Sequence, residues 1–179
     1  MIRRALILLP LLAGCAAYIP PDPVRLPRDS VEGAGDPTRT AVNRTAYAFA
    51  HPASLNGRPG EAARAIADME FLAAALPQDP RFQQRDPLLP GQLALARAEW
   101  RAALGIADSQ PAQPVIEALY GVARASARGE QPFLPPGLLE ADGLARLASL
   151  PPLPQTARAS AGAARVQSEG QFPTGRRRL

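Results

Sequence analysis

One cysteine and one histidine narrow the covalent chemistry open to this chain of 179 residues. A Ser–His–Asp relay would have to use His51, which sits between Ala50 and Pro52, where a helix is expected to end, and no Gly-x-Ser-x-Gly elbow occurs. The expected role of His51 is a turn position, capping helix carbonyls or facing water. All twenty cations are arginine, so Schiff-base and other lysine-dependent chemistry is excluded. A single Cys and a single His cannot supply a zinc-finger ligand set, and the lone thiol excludes an internal disulfide. The phosphate-binding and dinucleotide-binding glycine patterns and the His-Glu-x-x-His metal pattern are absent. No cofactor and no metal are implied.

Carboxylates are the remaining acid–base candidates. Asp68, Glu70, Glu99 and Glu117 fall on the three longest expected helices. Asp68 and Glu70 are two residues apart and so diverge around a helix. Glu61 with Arg64, and Arg64 with Asp68, have the spacing of ordinary surface pairs, each worth about 0.2–0.5 kcal/mol. This pattern fits a solvated face as well as an active site, and a non-enzymatic protein is expected. The segment Gln78 to Leu89 is long for a connection between helices, and such loops carry function more often than short ones. Arg81 and Arg85 flank Phe82 in it and could meet an anionic or carbohydrate ligand, or pair with nearby Asp while Phe82 packs inward. Trp100 is the other speculative contact: a cleft holding it beside Glu99 or Glu117 would favour a ligand-binding role.

The N-terminus carries a more specific pattern. Arg3 and Arg4 precede Ala5 to Ala13, an apolar run of nine residues, too short to span a bilayer as a helix. The run ends in Leu12-Ala13-Gly14-Cys15. Charge, apolar length and tetrapeptide together resemble the type II signal peptide and lipobox of bacterial lipoproteins. The resemblance covers about 15 residues. It implies that residues 1–14 are removed and that Cys15 is acylated. Two or more acyl chains hold a protein on a membrane without a transmembrane helix. By the same family rule, Ala16 after the cysteine points to the outer membrane, facing the periplasm. Envelope polymer hydrolysis is the enzyme class that compartment would suggest. Another envelope protein is the expected partner, and a small molecule or cell-wall fragment the alternative one.

The formal charge of +4 does not indicate nucleic-acid binding. Residues 15–175 hold 15 arginines against 16 acids, so the basicity sits at the two ends. A G+C-rich coding bias accounts for arginine in place of lysine. Nine aromatic residues are too few for a base-stacking platform. Arg176, Arg177 and Arg178 form an exposed cationic end suited to an anionic surface.

The elements that would position these residues are helical. Alanine occurs 36 times, β-branched residues are few, and no segment alternates long enough for a strand. Asp36-Pro37 supplies a cap and start for a helix through Val42 and Phe49 to His51. Asn56 to Pro59 starts a second, with Ala62, Ile66, Met69, Leu72 and Leu76 on one face. Pro90 opens a third through Leu93, Ala96, Trp100 and Leu104. Ser109 and Pro111 start a fourth, with Val115, Leu119 and Val122, stopping near Gly129. A short fifth carries Leu144, Leu147 and Leu150. The expectation is an all-α bundle of about five helices over residues 37–150. A Pro-rich spacer covers 15–36 (with Tyr18, Ile19 and Leu26 available to lie on the domain instead), and a flexible tail covers 151–179, with at most a frayed helix because its apolar residues are mostly alanine.

Overall fold

The computed structural model describes residues 23–31, 35–139 and 142–171. The protein is all-α, with no strand among the described residues. Among the described residues seven α-helices follow one another: α1 (Pro37–Ala50), α2 (Pro59–Ala75), α3 (Pro80–Arg85), α4 (Leu89–Leu104), α5 (Ala112–Ala127), α6 (Gly143–Ala148) and α7 (Pro154–Gln171). Among the described residues no helix is long and apolar enough to cross a membrane.

The starts follow the local chemistry. Asp36 accepts from the Thr38 and Arg39 amides at 2.9 and 3.4 Å, and Pro37 occupies the first turn of α1. At the far end of α1, His51 donates its backbone N–H to the Tyr47 carbonyl at 3.1 Å, the capping role expected for it. The start of α5 differs in detail: Pro111 takes the cap position, and Ser109 makes no capping bond. Gly105 closes α4 in the left-handed conformation, φ +67°, which a residue with a Cβ adopts at a cost.

α2 is the axis of the fold. It packs against α1, α4, α5 and α6, most extensively against α5. Residues 62–72, Arg64 excepted, are all buried. A helix apolar on nearly every side belongs inside the protein rather than on its surface. Gly60 permits the closest approach to α5: a Cβ there would lie 2.6 Å from the Ser126 Cβ. Around α2 the large buried side chains include Trp100, Leu93, Leu104, Ile116 and Leu119.

Three boundaries differ from the sequence expectation. First, the folded unit does not end at residue 150. Residues 151–179 are expected as a tail, yet Pro154–Gln171 is a helix of 18 residues docked on α1 and α4. Ala159, Ala163 and Val166 are buried in it, with Thr156 and Ser160. Small side chains let it lie close: a Cβ on Gly162 would come within 3.2 Å of Gln92 Oε1 and 3.4 Å of Leu89 Cδ1. Close approach supplies dispersion contacts that alanine area alone understates. Glu99 fixes its start, accepting from the Gln155 amide at 3.1 Å and from the Thr156 amide and hydroxyl at 2.8 Å.

Second, the described part of the expected spacer lies on the domain. Val24 and Leu26 pack on the core, and Gln113 bonds the Arg25 backbone in two directions, at 2.8 and 3.2 Å. Asp29 pairs with Arg124 at 2.6 Å. Third, the expected loop at 78–89 contains α3, because Asp79 caps it, accepting from the Arg81 amide at 2.9 Å, and Pro80 starts it.

Candidate functional site

α3 brings Arg81, Phe82 and Arg85 to one pocket. Phe82 turns inward and is buried, while the two arginines stay exposed. The pocket lies between the start of α1, α3 and the last turns of α7, with a volume of about 280 Å³. Thr38 and Arg39 line it from α1, and Val166, Gln167 and Gly170 from α7. Asp36 is at its rim, with its carboxylate engaged in capping α1.

The arginines differ in their commitments. Arg81 grips Asp79 with two groups, Nε to Oδ1 at 3.1 Å and Nη2 to Oδ2 at 2.6 Å, and this bond holds the Asp79 carboxyl below its usual range. Among the described residues Arg85 makes no hydrogen bond or ion pair. Its guanidinium instead lies over the backbone of Gly170, where a Cβ would come within 3.2 Å of Nη1 and 3.4 Å of Cζ. Leu88, at the end of the same connection, is 73 % exposed rather than packed under the bundle.

Trp100 does not join this site and is no ligand contact. It is fully buried, and its indole N–H donates to Glu70 Oε2 at 3.0 Å. Glu70 also accepts from Arg97 Nε and Nη2 at 2.9 and 2.6 Å and from two nitrogens of Arg101. Burial pushes the Glu70 carboxyl up, but the bonds from Arg101 and Arg97 outweigh it and hold the group below the ordinary range. Arg101 reaches onward to the carbonyls of Ala107, Asp108 and Gln110 at 3.0–3.1 Å, tying the α4–α5 connection to the core.

Asp68 is not a surface partner of Arg64. It is buried, ion-paired with Arg44 at 2.8 Å and hydrogen-bonded by the Tyr120 hydroxyl. Burial raises its carboxyl above the usual range despite these partners, and burial with the Asp68 charge raises the Tyr120 phenol. Both departures have one cause: α2 has no solvent face at these positions. The signal available in the sequence was the run Ala62-Ala63-Arg64-Ala65-Ile66-Ala67-Asp68-Met69-Glu70-Phe71-Leu72, apolar on both flanks of each acid.

The other candidates are dispersed. Glu99 caps α7, and Glu117 accepts from Gln113 Nε2 at 2.9 Å. Neither forms a cleft with Trp100, whose side chain has no exposed surface. No group of three or more His, Cys, Asp or Glu able to hold a metal is present among the described residues. Cys15, Ala16 and Arg176 to Arg178 lie outside the described residues. No protein-family model, no curated protein and no solved structure matches this chain.

Proposed function

We propose that the protein is a non-enzymatic envelope lipoprotein, held on the outer membrane facing the periplasm by acyl chains on Cys15, whose helical domain binds another envelope protein. The observation that carries the anchor is Leu12-Ala13-Gly14-Cys15 after two arginines and a short apolar run. A binding rather than catalytic role is supported by the carboxylates. Asp68, Glu70 and Glu99 are each engaged with arginine, aromatic or backbone donors that hold the fold together. A protein partner is supported by Leu88, just before α4, and Leu95 within it, which are 73 % and 62 % exposed. The mass of the N-terminal peptide of membrane-extracted protein tests the anchor. Acyl mass on Cys15, with release from the membrane fraction in Cys15→Ala, is expected; an unmodified thiol, or attachment that survives Cys15→Ala, overturns it.

A second reading, binding of a small molecule or cell-wall fragment, is favoured by one observation. Arg39, Arg81, Phe82 and Arg85 line a single pocket.

A further inference from the structure

We propose that the pocket between α1, α3 and α7 takes a small molecule with an anionic group on an apolar body, the anion held chiefly by Arg85. The proposal rests on the second reading above and adds the ligand's chemical class and the residue that recognises it.

The floor and the rim of the pocket differ in chemistry. Phe82 and Val166, 6 % and 2 % exposed, form an apolar base. Three guanidinium groups, from Arg39, Arg81 and Arg85, stand around it against one lining carboxylate, that of Asp36. Asp36 is turned to the first amides of α1, and Arg81 is gripped by Asp79. Arg39 has a partner of its own. These groups contribute field, whereas Arg85 contributes donors: five N–H groups in a planar fork with no protein acceptor among the described residues.

Arg85 also rests against α7. Its guanidinium lies across Gly170, and any side chain there would press on it, with a Cβ 3.2 Å from Nη1. A guanidinium fork with no protein acceptor among the described residues, beside an apolar floor, fits a carboxylate or phosphate joined to a hydrocarbon or aromatic body. At about 280 Å³ the pocket sits just under the range typical of small-molecule sites, which limits the ligand to a small one. Gln167, whose amide nitrogen donates to Asn43 Oδ1 at 2.8 Å, also lines the wall.

The test is a titration of the purified full-length chain by calorimetry and by amide chemical shifts. The probes are 4-phenylbutanoate, phenyl phosphate, 4-phenylbutanamide and inorganic phosphate. Saturable binding of at least one of the two amphiphilic anions is expected, weakening as salt rises and falling about tenfold or more in Arg85→Gln. Gly170→Ala keeps every charge but displaces the guanidinium, and is expected to weaken binding as well. An unchanged melting temperature in either variant shows that the loss is local. The proposal is overturned if neither anion binds, if the amide binds as tightly as the acid, if inorganic phosphate alone matches the amphiphilic anions, or if Arg85→Gln binds normally. None of these variants touches Cys15, so failure here leaves the acyl-anchor reading standing, and loss of the anchor leaves this site standing.

Discussion

Asp68 and Glu70 stand two residues apart on the same buried helix, and the protein treats them in opposite ways. Glu70 receives two guanidinium groups and an indole N–H, and its carboxyl is held below the ordinary range. Asp68 receives one guanidinium and one phenol, and burial raises its carboxyl above that range. The depth of burial is alike, since neither side chain has exposed surface. At Glu70 the bonds from two arginines outweigh desolvation, whereas at Asp68 desolvation exceeds the combined pull of Arg44, Tyr120 and the charge of Arg64. The partners also differ in their access to water: the Arg44 side chain is 26 % exposed, and that of Arg101 2 %.

The largest effect is expected from breaking the more enclosed of the two. Glu70→Ala strands Arg101 as an unpaired buried cation and should cost about 3–5 kcal/mol of unfolding free energy, measured by urea titration. It should also loosen the α4–α5 connection, visible as faster amide exchange over residues 105–110, because Arg101 binds three carbonyls there. Asp68→Ala should cost clearly less, since Arg44 can turn to solvent and to the Ser30 carbonyl it already meets at 2.9 Å. Equal losses in the two variants would break the comparison.

A smaller effect separates hydrogen bonding from charge. Tyr120→Phe removes only the hydroxyl that donates to Asp68 and leaves the ring packing intact. A loss of about 1–3 kcal/mol is expected, the cost of an acceptor left short of a donor in the interior. Because a hydrogen bond that lowers the Asp68 carboxyl is then lost, the carboxyl should rise further, an outcome that carboxylate NMR titration can follow. A loss near zero would mean that water replaces the hydroxyl.

How far these sites were legible depends on what each helix faces. The starts of α1 and α2 follow from Asp36-Pro37 and from Pro59, because caps and proline act within one turn and need no tertiary context. The fate of Asp68 and Glu70 does not follow from their spacing. Two residues apart does separate them around α2, but both directions lead into protein, since α1 and α5 cover one side and α4 the other. α7 was hidden for the opposite reason. Thr156, Ala159, Ser160 and Ala163 lack the bulk that marks an apolar stripe, and what holds them is close approach plus a cap from Glu99 on another helix. Arg81, Phe82 and Arg85 could be picked out as a group from their proximity in sequence. The wall of their pocket could not, because it comes from α7, more than eighty residues away.

The smallest predicted effect is the one that tests the sign of the comparison. A carboxyl held low in the fold contributes stability that is present above its unfolded pKa and lost as the pH falls through its folded value. Glu70, with a reference value of 4.5, belongs to this class, so its contribution drains away below that pH. A carboxyl held high contributes stability that is full below its unfolded pKa, 3.8 for Asp68, and is lost as the pH rises through the folded value. Unfolding titrations of Glu70→Gln and Asp68→Asn beside the parent chain, at pH about 7 and about 3, should therefore diverge. Each shifted pKa unit is worth about 1.4 kcal/mol. The deficit of Glu70→Gln relative to the parent should shrink on acidification, and that of Asp68→Asn should grow. If the two deficits moved in the same direction, the two carboxyls would not be held on opposite sides of their ordinary range, and the comparison would fail.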